Sequence, residues 1–288
     1  MAAFWNFRRR QVRALQPGMP AILTSYALLI LACAISLVPF FYVLSTSLKN
    51  TRSLFSYPPQ WIPKELFWGN YGRLLSEFPF LEWTINSLLV GVAITVIKLV
   101  VDSMAAYALA KLDFPGKSSI VAVLLLAVAI PVAALVIPLF FLVRWLGLLD
   151  SYWALILPPI ANPLGIFMIR SFMVSIPDDL VHSARLDGAS EFGIFARIIL
   201  PLIKPGLVVH AVFTFMMQYT SFLWPLVAVQ TPEKQVLTVG ISSLKANFVV
   251  DWGLISAASI LAALPITMMF IVLQRFFLAQ NLSGALKG

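Results

Sequence analysis

The stretch SIPDDLVHSARLDGASEFGIFARIILPLIKPG, residues 175–206, decides how the rest of the chain is read. It is the most polar long segment in an otherwise apolar sequence. Apolar runs flank it on both sides, so it reads as a water-facing connection between two membrane helices. Ser175 with Asp178 three residues on has the form of a capping box, and Pro177 suits a first helical turn. The spacing predicts a short helix with Leu180, Val181 and Ala184 on one face. Asp187-Gly188 ends it, because glycine adopts the left-handed conformation at little cost. Ser190 caps a second short helix carrying Phe192, Phe195, Ile198 and Ile199, which Pro201 and Pro205 are expected to stop. Two short helices meeting at a glycine make a knob, and Phe192 and Phe195 beside its charges require a covering partner.

Composition sets the surroundings of that knob. Of 288 residues, 60% are hydrophobic and 11% charged, and mean hydropathy is +0.93. These values describe an all-α, polytopic membrane protein rather than soluble domains. The net charge of +8 follows from Lys and Arg placed beside membrane helices, and no basic face with interleaved aromatics points to nucleic acid. Cys33 is the single cysteine and lies in an apolar run, while His182 and His210 belong to different elements. Neither a disulfide nor a metal site has ligands to build on.

Outward from the knob, six spans are expected at about 22–44, 84–107, 118–143, 151–173, 205–226 and 253–275. A basic segment, 1–20, precedes them and a tail, 276–288, follows. The charge-free run from Ala14 to Leu48 is too long for a signal-peptide core. With the knob inside, twelve Lys and Arg fall on the inner side against seven outside, with Lys98 in the bilayer. That excess orients both termini to the cytoplasm.

Lys98 and Asp102 form an i, i+4 pair within the second span, open to a functional or a self-neutralising structural role. Prolines 131, 138, 158, 159 and 163 interrupt the third and fourth spans, which either kinks them for packing or lines a central path. Gln218, Tyr219, Ser221 and Trp224 offer stacking faces and hydrogen bonds suited to a sugar, or an interfacial aromatic belt. Gly116-Lys117-Ser118 ends like a phosphate-binding loop, but the glycine required at position 111 is Lys111, so no ATPase motif is present. No nucleophile–base set or paired carboxylates occur in a suitable context.

Ala184, Asp187, Gly188, Ala189, Ile198, Leu200 and Pro201 stand at the spacing of a family pattern: Glu-Ala-Ala, two residues, Asp-Gly-Ala, eight residues, Ile-x-Leu-Pro. In this the stretch resembles the cytoplasmic loop of permease subunits of ATP-binding-cassette importers, with His182 and Ser183 where the family usually has Glu and Ala. AAYALAKLDFPGK (Ala105–Lys117), LGLLDSYWALILP (Leu146–Pro158) and LAALPITMMFIVLQRFF (Leu261–Phe277) are similar to the sugar-importer branch, nearest the smaller permease of maltose-type systems. The resemblance implies a six-helix type I importer permease fold in a bacterial inner membrane, surrounded by lipid. It implies a second permease subunit, two ATPase subunits that use ATP and Mg, and an external solute-binding protein. It further implies a sugar substrate and no cofactor in this chain. ATPase coupling would fall to the loop 175–205, with His182, Ala184, Asp187, Gly188, Ala189, Phe192, Phe195, Ile198, Leu200 and Pro201 as its site residues. An ion- or proton-coupled carrier and a non-transporting scaffold are the alternatives.

Overall fold

Around one long helix, α3 (Phe80–Lys111), the rest of the chain is arranged. Its 32 residues reach about 48 Å. Glu82 in the first turn and Lys111 in the last oppose the helix dipole favourably. Trp83, Ser87, Val90, Ile94, Lys98, Asp102, Ala106 and Leu109 are all buried, a three-and-four spacing that turns one stripe of the helix inward. The opposite stripe, with Leu89, Val92, Val96 and Val100, is exposed and apolar, as a lipid-facing surface requires.

The computed structural model describes residues 19–50, 57, 60–245 and 250–285, with side chains to residue 274. Most of the segment expected over 1–20, including Arg8, Arg9, Arg10 and Arg13, lies outside the described residues. Among these residues the order is α1 (Met19–Ser47), α2 (Gly69–Glu77), α3, α4 (Lys117–Ala129), α5 (Val132–Trp145), α6 (Tyr152–Ile160) and α7 (Leu164–Val174). Then come α8 (Asp178–Leu186), α9 (Glu191–Leu202), α10 (Lys204–Tyr219), α11 (Leu223–Ala228), α12 (Leu237–Ser243) and α13 (Trp252–Ala285). Helix α3 packs against α6, α7, α10 and α12, while α1 lies along α13. In α1 the hydroxyls of Thr24, Ser25 and Ser36 each donate to the carbonyl four residues back, which satisfies them where water is absent.

Helices α1, α3 and α13 are each long and apolar enough to cross a membrane; the pairs α4–α5, α6–α7 and α9–α10 pass the same test jointly but are bent by 101°, 45° and 79°. Each bend lies at or beside a proline, Pro205 standing in the first turn of α10. Ile130, before Pro131, is driven to φ −78° and ψ 122°, since the proline ring excludes the helical conformation in its predecessor. The stretch 118–143 is therefore not the single kinked helix expected but two helices crossing nearly at right angles. The α6–α7 bend carries Pro158, Pro159 and Pro163. Helix α13 runs to Ala285, so the backbone of the expected tail, 276–288, continues the last helix through most of its length.

Candidate functional site

The knob forms where the sequence places it, with two changes in how its helices begin and end. Ser175 is not the N-cap of α8: its Oγ donates to Phe172 O at 2.7 Å at the end of α7. Helix α8 instead starts after Pro177, whose φ of −57° is already set, with Asp178 and Asp179 in the first turn. Its end is a Schellman turn. Gly188 N–H donates to Arg185 O and Ala189 N–H to Ala184 O, both at 3.0 Å, and Gly188 sits at φ +80°. Ser190 caps α9, its Oγ accepting from Gly193 N–H at 3.2 Å.

Nor does Pro201 stop α9. The helix widens into one π turn over Phe195–Ile199, with Leu200 N–H bonded to Phe195 O. That extra residue makes room for the proline ring, so the helix continues to Leu202 and turns only at Ile203.

What fixes the knob is a small core and a set of charges at the end of α3. Val181, Ala184, Ile194, Phe195 and Ile199 pack with Ala106, Tyr107, Ile169 and Met173. Tyr107 and Phe195 have ring centroids 5.3 Å apart. Each Ile or Val so buried contributes on the order of 2 kcal/mol. Tyr107 Oη donates to Glu191 Oε2 at 2.7 Å, and Arg185 Nε to Glu191 Oε1 at 2.6 Å. The buried Lys111 ammonium donates to Ile176 O and Asp178 Oδ1, both at 2.6 Å. Arg185, and after it the Tyr107 hydroxyl, holds the Glu191 carboxyl below its ordinary pKa. Lys111 does the same for Asp178.

This core divides the expected loop residues by direction. Ala184 and Phe195 face inward, while Ile198 and Leu200 are half-buried. His182, Asp187, Gly188, Ala189, Phe192 and Pro201 are exposed. Leu180, expected beside Val181 and Ala184, is 46% exposed, because a step of one residue from Val181 turns it away. At the tip Leu186 is 89% exposed and Phe192 69%. The knob thus presents an apolar face around the Gly188 turn.

The four residues expected along a substrate path are not brought to one face. Tyr219 stacks on Phe215 at 5.6 Å and donates to Ala262 O at 3.0 Å. Trp224 Nε1 donates to Ala154 O at 2.9 Å in a separate core cluster. Gln218 and Ser221 remain partly exposed, and Ser221 O accepts from Thr238 Oγ1 at 2.6 Å.

Two groups escaped the sequence reading. Tyr107, Lys111, Arg185 and Glu191 anchor the knob; the i, i+4 placement of Tyr107 and Lys111 in the last turns of α3 was the available signal. His210 meets Asp102, its Nε2 standing 3.0 Å from Asp102 Oδ2. Residues 108 positions apart in sequence leave no local pattern to read.

Compared with known proteins, this helical bundle with proline-broken spans and an apolar-tipped knob falls in the class of membrane transport components. More narrowly, the chain belongs to the family of binding-protein-dependent transport system inner membrane components, whose model matches residues 103–281. It is 34% identical over 255 residues to the arabinooligosaccharides transport system permease protein AraQ of Bacillus subtilis, covering 88% of this chain and 91% of that one. It is 35% identical to the trehalose transport system permease protein SugB of Mycobacterium tuberculosis, covering 88% and 93%. With the sulfoquinovosyl glycerol transport system permease protein SmoH of Agrobacterium fabrum it shares 31% identity over 96% and 99%. The fold matches a chain in the crystal structure of a bacterial ABC transporter that imports the acidic polysaccharide alginate, with a TM-score of 0.78 at 23% identity over 88% and 95%. A second crystal structure, a bacterial alginate ABC transporter in complex with an alginate pentasaccharide-bound periplasmic protein, matches with a TM-score of 0.60 at 18% identity over 87% and 92%.

Proposed function

We propose that this chain is a sugar permease subunit of an ABC importer, that it forms half of the translocation path, and that the Ser175–Pro205 loop is where ATPase subunits grip it. The observation that carries the reading is the knob itself: an exposed apolar tip at Leu186 and Phe192 on a base fixed to α3 and α7. The chain has no ATPase motif, so energy arrives from another polypeptide. Shifting a population from 1:99 to 99:1 takes about 5.5 kcal/mol of differential interaction. A loose loop dissipates such a bias in its own motion, whereas a helix with a packed base transmits it.

His182, Asp187, Gly188, Ala189 and Phe192 form the docking face in this reading. Ala184, Phe195, Ile198, Leu200 and Pro201 set its shape from within or along its edge. The knob faces the cytoplasm, with both chain termini on that side. ATP and Mg are used by the two ATPase subunits, a second permease completes the path, and an external binding protein delivers the solute. The relatives' names support a saccharide or a related glycoside as that solute. Of the four path candidates, Gln218 and Ser221 retain the exposure needed to touch it.

The test is Gly188→Val in the assembled transporter reconstituted in vesicles. A Cβ at position 188 meets no neighbouring atom within 4 Å, so the substitution strains only the turn, by about 1–2 kcal/mol. Insertion is expected to persist while uptake separates from ATP hydrolysis. Unchanged transport would remove the mechanism, and uptake without any ATPase would remove the class.

A further inference from the structure

Halfway along α3, three ionisable side chains are buried together at membrane depth. Lys98, Asp102 and His210 are each at most 4% exposed. Lys98 Nζ lies 3.0 Å from Asp102 Oδ2, and it donates to Asn162 O at 2.7 Å and Ile160 O at 3.5 Å. Both carbonyls belong to the break between α6 and α7. Pro163 has no N–H to offer there, and the end of α6 concentrates partial negative charge. His210 comes from α10. Its Nε2 is 3.0 Å from Asp102 Oδ2, and Thr214 Oγ1 lies 3.5 Å from its Nδ1. Across from them, Gly165 of α7 packs so closely that a Cβ would fall on Asp102 Oδ2 and His210 Cε1.

Burying the Lys98–Asp102 pair costs several kcal/mol per ion, and apolar packing of equal volume is often as stable. Stability alone is therefore a weak reason for three such groups. What they share is position: they link α3, α10 and the α6–α7 break at one point. The knob sits on the far end of the same α3, about 20 Å away along its axis from Lys98 to Lys111. Helices α3 and α10 also both lead out of the knob, α3 through Tyr107 and Lys111 and α10 through Ile203.

We propose that Lys98, Asp102 and His210 are positioning residues for transport. They form a joint that holds the α6–α7 break at a fixed setting against α3 and α10, so that motion entering through the knob reaches the broken span rather than being lost in its prolines. The proposal rests on the reading of the knob as the grip of the ATPase. The Lys98 ammonium caps the carbonyls of the break, Asp102 neutralises it, and His210 of α10 sets its Nε2 3.0 Å from that carboxylate. Gly165 leaves no slack.

The experiment compares variants in the full transporter, reconstituted in vesicles, reading uptake per ATP hydrolysed. The double variant Lys98→Met with Asp102→Leu replaces the pair by apolar volume and removes both of its charges together. It is expected to insert, assemble and hydrolyse ATP, with the uptake ratio down by about tenfold, within the range of typical coupling energies. A wild-type ratio overturns the joint. Where the double variant does not assemble, His210→Leu and His210→Gln decide, since a glutamine keeps a polar tip beside Asp102 and a leucine does not. A low ratio in the leucine variant with recovery in the glutamine variant supports the joint; equal ratios in the two overturn it. Gly188→Val is measured alongside. Normal coupling in that variant sinks the reading of the knob, whereas uncoupling there with normal coupling in the joint variants sinks the joint alone.

Discussion

The two ends of α3 are fastened by different chemistry. At the knob end the fastenings are charged and near water: Glu191 with Arg185 and Tyr107, and Lys111 with Asp178. At the opposite end they are mainly neutral, directional and buried. Trp83 Nε1 donates to Pro232 O at 3.0 Å, and Asn86 Nδ2 to Glu233 O at 2.7 Å and Gln235 O at 3.0 Å. Ser87 Oγ accepts from Leu237 N–H at 2.7 Å. Beside them Asp150 accepts from Gln230 N–H and Thr231 N–H at 3.0 Å and from the Thr231 hydroxyl, while Lys234 donates to its carbonyl. Backbone carbonyls clamped by indole and amide donors make a frame, since opening it strands buried groups. The knob-end pairs each keep at least one partner in water, and such pairs are weak and more easily remade, which suits an end that moves.

If that contrast holds, substitutions at the fixed end cost stability and those at the knob end cost coupling. The largest expected effect is Trp83→Ala. The side chain is 2% exposed and packs on Gly240, so the loss is about 3–5 kcal/mol, read as a lower melting temperature of the solubilised complex. Gly165→Ala, midway along the bundle, overpacks the site against Asp102 and is expected to cost about 1–3 kcal/mol, detected by the same melt.

Asp150→Asn removes a carboxylate whose pKa the Thr231 hydroxyl and backbone N–H hold down at about 2. Because the folded value is depressed, its stabilisation is present above the ordinary carboxylate range and is lost as pH falls through about 2. At neutral pH the variant is expected to be less stable by about 1 kcal/mol after screening, and the difference from wild type should vanish in strong acid. Smallest in stability is Glu191→Gln, where melting moves by well under about 1 kcal/mol while uptake per ATP falls. A Glu191 variant that melts early yet transports normally would reverse the comparison.

Much of this was legible in the sequence because membrane helices and turns are written locally. Asp187-Gly188 ended α8 as its chemistry demands, and Ser190 capped α9 for the same reason. The misreadings arose where a local rule met a competing one. Ser175 could cap a helix, but Pro177 starts one without help and left the hydroxyl to close α7. Pro201 should end a helix, but a π turn upstream absorbed the clash. Pro131 reads as a kink in the sequence, yet Ile130 before it has no helical conformation to keep. Tyr219 and Trp224 looked like sugar-stacking groups from their type alone. Their indole and hydroxyl tips are taken by Ala154 O and Ala262 O, partners 70 and 43 residues away. The encounter of His210 with Asp102 belongs to the same kind of long-range fact.

The bend at Ile203 sets α9 at 79° to α10, so the knob's second helix stands almost square to the span that follows it. At 12 residues from Glu191 to Leu202, it is a lever arm of about 18 Å. A sideways push of about 2 Å at its tip would twist α10 through roughly 6°, delivering torque rather than translation to the bilayer.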